Sequence, residues 1–175
     1  MTIRTFQNHQ PAIDTSAYVD ETALVIGQVT LGKDSSVWPM TVIRGDINTV
    51  TIGERTNIQD GTICHVSHDG PYSPGGACLT IGNDVTVGHS VVLHACTLED
   101  HCLIGIGSVV LDKAIVRKQV ILGAGSLVPG GKELQSGYLY MGRPAKQIRA
   151  LTEQEIDSLD YSAQHYVKVK NMHKK

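Results

Sequence analysis

The chain is expected to fold as a mainly β, three-sided solenoid of short parallel strands with one α-helix packed alongside, and three observations predict it. Aliphatic residues recur at every sixth position, Gly often follows them directly, and a small or β-branched residue sits four places after them. The aliphatic series runs Ile13, Val19, Val25, Leu31, Val37, Ile43, then Ile52, Ile58, Cys64, then Ile81, Val87, Leu93. After one skipped residue it continues Leu98, Ile104, Val110, Val116, Leu122, Val128, Leu134. A period of six fits neither an amphipathic helix nor a coiled coil, but it fits a short strand plus a corner. The aliphatic and the small residue then face inward, and the Gly at 32, 53, 82, 88, 105 and 123 is expected where the backbone turns sharply. Aromatics make up only 5% of the chain and Gly numbers 18, a composition that suits a narrow, repetitive interior.

Three hexads close one triangular coil, and successive coils pair as parallel strands about 4.8 Å apart. A β-sandwich does not hold a fixed six-residue frame over such a length. The repeat resembles that of the hexapeptide-repeat proteins, and the resemblance implies a left-handed parallel β-helix, against the right-handed rule for parallel crossovers.

Residues 1–136 read as this β-helix, interrupted twice. Three extra residues lie between Ile43 and Ile52, and eleven between Cys64 and Ile81. Both are expected as external loops, near 44–51 and 67–79, since insertions in a solenoid map to its outside. Residues 137–175 read as a linker, S-G-Y-L-Y-M-G-R-P-A-K, followed by an amphipathic helix. Thr152 and Glu155 form a capping box, and Ile156, Leu159, Ala163, Tyr166 and Val167 follow at helical spacing. The basic stretch from Lys168 to Lys175 is expected to fray into solvent.

At 175 residues the chain fits one domain, and its formal charge of −2 provides no basic field for nucleic acid. No segment approaches the roughly 18 apolar residues of a membrane span. Met1 to Gln10 is polar and lacks the apolar core of a signal peptide. The cysteines (64, 78, 96 and 102) show no C-x-x-C spacing and read as reduced thiols. These features describe a cytoplasmic protein with no nucleic-acid or membrane partner.

Within the frame, His65 and His94 each sit one place after the third aliphatic of adjacent coils, so they stack on one corner. That places them about 4.8 Å apart, close enough to converge on one divalent metal. Arg44 belongs to the same column in the preceding coil. His89 lies two places after Val87, at the previous corner, roughly 16 Å from His94 at about 3.3 Å per residue. Within one chain it cannot share a metal with the other two. Either it is an ordinary surface residue or it reaches the pair of a neighbouring subunit in a closed trimer.

R-G-D at 44–46, N-I-Q-D at 57–60, His65 and G-H-x-x-x-x-H at 88–94 resemble the γ-class carbonic anhydrase family, most closely its bacterial members with a shortened acidic loop. The resemblance spans almost the whole chain. It implies a homotrimer with Zn2+ at each subunit interface, bound by two histidines of one chain (His65, His94) and one of the next (His89); in the family Fe2+ or Co2+ also occupies the site. It implies reversible hydration of CO2 to bicarbonate by hydroxide generated at the metal. Gln59 would orient the hydroxide or the CO2. Arg44 and Asp60 match an interface ion pair, with Asp46 in the same network. Tyr161 stands where a family Asn lies near the active site, and Asn57 reads as a turn residue.

Two departures bear on activity. Ile47 follows R-G-D where the resemblance expects Glu. The acidic loop with its proton-shuttling Glu is replaced by S-H-D-G-P-Y-S-P-G-G, which leaves His68 and Asp69 to carry protons. Metal binding therefore follows from the motifs more directly than efficient CO2 hydration. Metal-dependent thioester hydrolysis, CoA-dependent acyl transfer and a non-catalytic metal-binding scaffold are the other functions compatible with this frame.

Overall fold

The computed structural model describes residues 2–174. The hexad frame becomes three columns of side chains, one per face of a parallel β-helix. On the first face Ile13, Leu31, Ile52, Ile81, Leu98, Val116 and Leu134 are in register. The second face stacks Val19, Val37, Ile58, Val87, Ile104 and Leu122. The third stacks Ile3, Val25, Ile43, Cys64, Leu93, Val110 and Val128. From Leu31 onward these residues are essentially inaccessible to water. Each such aliphatic stabilises the fold by about 1.5–3 kcal/mol through burial.

The corner chemistry differs from the sequence expectation. Glycines at 32, 53, 82, 88, 105 and 123 do not take the left-handed conformation. That conformation falls two places later, at residues such as Asp34, Arg55, Asp84 and Gly107. At 32, 53, 82 and 105 glycine is required by coil stacking: a Cβ on Gly53 would sit 2.6 Å from the Gly82 carbonyl carbon, and one on Gly105 2.7 Å from that of Gly123. The inward small residue is better counted as two places before the next aliphatic, the period of a strand. In the five-residue interval between Leu93 and Leu98 the buried position is accordingly Cys96, while Thr97 stays partly exposed. Buried hydroxyls at these corners are satisfied by the neighbouring coil. Ser35 donates to the Gly53 carbonyl at 2.6 Å, Thr56 to Gly82 at 2.7 Å and Thr62 to Gly88 at 3.0 Å.

The first insertion is not a free loop. Strand Val42–Ile52 runs through it, and the register against Leu24–Leu31 jumps from Gly27↔Gly45 to Val29↔Val50. Residues 46–49 therefore bulge opposite Gln28 while both ends of the strand stay paired. The second insertion folds back on itself through Ser67↔Ala77 and Gly70↔Ser73 bridges, and Asn48 of the first insertion donates to the Ser67 carbonyl at 3.1 Å.

The expected linker is also structured. Tyr140, six places after Leu134, extends the second column by pairing with Leu122, and its hydroxyl binds Gln147 and the Gln135 amide. Strand Tyr138–Met141 then turns into the antiparallel strand Lys146–Ala150. All four cysteines are free thiols. Burial pushes the Cys64 and Cys102 thiols up to about 12, so neither is a nucleophile at neutral pH.

Helix α1 spans Glu153–His173, and the Thr152/Glu155 capping box is present. It lies on the second face against strands Ser36–Val37 and Thr86–Val87. Leu159 and Ala163 are buried there, and Ile156, Tyr166 and Val167 are half-buried. As far as Lys174, with Lys175 outside the described residues, the basic end does not fray: Lys170 is 1% exposed, and its ammonium donates to the Ser16 carbonyl, Asp34 and Asn171 at 2.8–2.9 Å. His173 completes an aromatic cluster with Tyr18 and Trp38. At about 1.5 Å per residue the helix is long enough to run back to the first coils. Among the described residues no helix is long and apolar enough to cross a membrane.

Two outcomes test this anchoring. Lys170→Ala leaves the Asp34 carboxylate and the Ser16 carbonyl without their donor, and is expected to lower unfolding free energy by about 1–3 kcal/mol in urea titrations. The Arg149 guanidinium, with the Thr152 amide, holds the Glu155 carboxyl at about 2 against an ordinary 4.5. A depressed carboxyl stabilises the fold above its ordinary value and loses that contribution as pH falls through the folded one. The stability difference between the parent and Glu155→Gln, read from denaturation midpoints, should therefore shrink from pH 4.5 toward pH 2.

Candidate metal centre

The two third-face strands Ile63–His65 and Val92–His94 pair with Cys64 on Leu93 and His65 on His94. Because Cys64 and Leu93 point inward, the following residues point out of the corner, and the two imidazoles meet there. His65 Nδ1 lies 3.2 Å from His94 Nε2.

What flanks the pair fixes where its protons are. His65 Nε2 is 3.2 Å from Asp46 Oδ1, and the other Asp46 oxygen is paired with Arg44. His94 Nδ1 is 2.9 Å from Asp112 Oδ2, and the other Asp112 oxygen accepts from the Ser67 hydroxyl. A neutral imidazole donates from one nitrogen and accepts at the other. With both outer nitrogens donating to carboxylates, the inner Nδ1 and Nε2 each present a lone pair to the same gap. Two facing lone pairs repel unless a positive charge lies between them. Ligands at 2.0–2.1 Å on a tetrahedral cation are about 3.4 Å apart, close to the separation seen. The residues thus fit a divalent metal in both donor type and spacing, with carboxylates holding the outer N–H groups as metal-binding histidines require.

The electrostatics agree. Burial lowers the His65 pKa from its ordinary value, against the opposing pull of Asp46, and so favours the neutral, ligating form. Burial alone would raise the carboxyls of Asp46 and Asp112. The hydrogen bonds from Arg44 and His65 to one, and from Ser67 and His94 to the other, outweigh it and keep both ionised.

His89, Asp60 and Gln59 lie at the preceding corner, whereas Arg44, His68 and Tyr161 do not. His89 is half exposed and its Nδ1 is 2.9 Å from Asp60 Oδ2. Gln59 is 5% exposed and donates to Asn57 Oδ1 at 3.0 Å. Asn57 is no turn residue: it lies in strand Asn57–Ile58, fully buried, and its amide donates to Thr86 Oγ1 at 3.0 Å. Thr86 is in turn bonded to Ser162 of α1 at 3.1 Å, so a polar chain connects the helix to Gln59. Gln59, Thr86, Gly88, Ile106, Ser162 and Tyr166 line one cleft. Tyr166, rather than Tyr161, is the helix tyrosine at this cleft; Tyr161 is 72% exposed and stacks on His165. His68 is exposed on the second insertion, and Asp69 accepts from the Gly75 amide at 2.7 Å. Arg44 and Asp60 stand at different corners, each with an intrachain partner.

Among the described residues, no group of three or more His, Cys, Asp or Glu side chains of the single chain is arranged to hold a metal ion. One chain brings two histidines together and presents the third elsewhere. Sequence reasoning missed Asp112 and Ser67. The available signal for Asp112 was its place two residues after Val110, in the coil that follows His94.

This is a hexapeptide-repeat β-helix with a histidine pair on one corner, and its relatives agree. No protein-family model matches the chain. It is 52% identical over 169 residues to Protein YrdA of Escherichia coli, covering 97% of this chain and 92% of that one. It is 42% identical to the mitochondrial Gamma carbonic anhydrase 2 of Arabidopsis thaliana, over 93% of this chain and 58% of the relative. Identity to a carbonic anhydrase of Geobacillus kaustophilus is 40%, over 93% and 85% of the two chains. Among solved structures, a hexapeptide transferase family protein from Anaplasma phagocytophilum superposes with a TM-score of 0.88 at 39% identity, over 97% and 96% of the chains. A putative acetyltransferase of Bacillus cereus does so at 0.89 and 38%, over 98% and 96%. The chain belongs to the γ-carbonic anhydrase family.

The polar chain behind Gln59 makes one expectation specific. Asn57→Ala removes the acceptor for Gln59 and the donor to Thr86 in a fully buried setting, and should cost about 1–3 kcal/mol in denaturant unfolding. Asn57→Asp, which keeps only the acceptor, should fall between it and the parent.

Proposed function

We propose that this chain is a metal-dependent γ-carbonic anhydrase-like enzyme that interconverts CO2 and bicarbonate, working as a homotrimer. His65 and His94 of one subunit and His89 of its neighbour hold the cation, Zn2+ or alternatively Fe2+ or Co2+. A closed ring about an axis parallel to the coil stack sets the His89 corner of one subunit against the His65/His94 corner of the next. The observation that carries this reading is the 3.2 Å gap between two ring nitrogens whose protons are both drawn away by carboxylates.

Bound by the three imidazoles, such a cation would supply Lewis-acid activation of the water that attacks CO2 at neutral pH. The chain's own residues do the rest. Asp46 and Asp112 orient the ligating rings, and Arg44 neutralises Asp46. Arg44 and Asp60 contribute an ion pair across the interface when subunits assemble. Gln59, its carboxamide fixed by Asn57, orients the nucleophile or CO2. His68, on the exposed second insertion, accepts the released proton.

A second reading draws on Ile47, which is exposed where the resemblance expects Glu, and on Asp69, which is occupied by the Gly75 amide. With fewer acids to export protons, the same centre suits metal-dependent thioester hydrolysis or a non-catalytic scaffold; acyl transfer from CoA is the further alternative on this fold.

Metal analysis of protein purified without chelator, light scattering and turnover assays separate these. About one metal per chain, a trimer, and CO2 hydration with Zn2+ or anaerobic Fe2+ are expected, with metal lost in His65→Ala, His89→Ala and His94→Ala alike. Bound metal with acyl-CoA turnover, or with none, and no hydration moves the assignment to the second reading. A monomer, or a parent chain without metal, overturns the proposal.

A further inference from the structure

Both histidines of the pair are flanked by a carboxylate, but only one of those carboxylates lies in a motif that the sequence singles out. Asp46 belongs to R-G-D. Asp112 belongs to no such motif, and its position results from the fold. It sits in the corner between strands Val109–Val110 and Ile115–Val116, one coil beyond His94. There Oδ2 receives His94 Nδ1 at 2.9 Å and Oδ1 receives the Ser67 hydroxyl. Ser67 is the first residue of the second insertion. Its backbone pairs with Ala77 on the returning limb, and its carbonyl accepts from Asn48 in the bulge of the first insertion. Both external segments are therefore tied to the carboxylate behind His94.

The arrangement does more than hold a ring in place. Unrestrained, His94 can carry its proton on either nitrogen. A proton on Nε2 would point into the gap facing His65 and remove the lone pair needed there. Asp112 selects the Nδ1–H form. Ser67 decides which Asp112 oxygen is available, because it occupies the other one. Lys113, next in sequence, is exposed and makes no side-chain bond to the pair.

We infer that Asp112, held by Ser67 at the base of the second insertion, is a positioning residue that sets the tautomer of His94 and so prepares the histidine pair for its cation. The inference rests on the proposed metal-centre reading and adds to it a link between the insertion and cation affinity. Carboxylates in this role change metal affinity by about 10–100-fold when removed.

The test uses the full-length chain in its native assembly, with Zn2+ as the probe in competition against a chelator of known affinity. Asp112→Ala should weaken Zn2+ binding about 10–100-fold, and Ser67→Ala should weaken it less but in the same direction. Lys113→Ala should leave it unchanged. In the metal-free chain, 15N shifts of the His94 ring should report the Nδ1–H form in the parent and a shift toward Nε2–H in Asp112→Ala. A purely structural role would not move that signal. Asp112→Asn, whose carboxamide oxygen can still accept from Nδ1–H, covers the case in which the alanine variant folds poorly and should recover part of the affinity. Unchanged Zn2+ affinity and His94 tautomer in the Asp112 variants, with Zn2+ binding abolished in His94→Ala, would overturn this inference alone. A parent chain that takes up no Zn2+ would overturn it together with the metal-centre reading.

Discussion

Everything in this molecule depends on the parallel ladder that stacks one coil on the next at about 4.8 Å. Most strands contribute only two or three residues to a face, too few to be stable alone, and the faces exist because many coils repeat the same register. The inward column of Ile, Val and Leu sets that register, since a one-residue slip would turn every one of these side chains toward solvent. Glycines between coils permit the close approach, and corner hydroxyls satisfy the carbonyls it leaves. The histidine pair inherits its spacing from the ladder. His65 and His94 are 29 residues apart, yet their relative height is fixed by backbone hydrogen bonds.

The same geometry explains why the chain divides its histidines. Two residues one place after successive third-face aliphatics share a corner and converge. A residue two places after a second-face aliphatic belongs to another corner and diverges from them. A triangular coil has no route between adjacent outer corners except around its own outside. A site that needs all three imidazoles must therefore be completed by another copy, which is how the fold would join metal binding to assembly. Helix α1 contributes from the other direction. It is clamped at its start by the Arg149–Glu155 pair and near its end by Lys170 and the Trp38 cluster. Between these clamps Ser162 and Tyr166 meet the cleft beside Gln59.

The hexad columns are legible because a period of six has few physical solutions, and the period alone stacks His65 on His94. The role of the glycines was misread. Sequence shows that Gly recurs after the aliphatic, but a turn and a tight stacking contact leave the same signature. Lys170 was misread for a related reason: a basic end without an obvious partner looks solvated. Its partners, Ser16 and Asp34, come from the opposite end of the chain. Tyr140 continued the frame by six and could have been counted with the columns. The Gly and Pro around it outweighed that signal and suggested a linker.

By itself, the sequence determined the repeat, the inward columns, the two points of interruption and the separation of His89 from the other two histidines. All of these follow from local periodicity, which a parallel ladder converts directly into position. Only the tertiary structure decided what surrounds the pair: Asp46 on one side, Asp112 with Ser67 on the other, and the protons these carboxylates draw off the facing nitrogens. The reason is physical. Register along a column is fixed by backbone spacing, whereas contacts between corner side chains depend on how each insertion folds back, and nothing in a six-residue period specifies that.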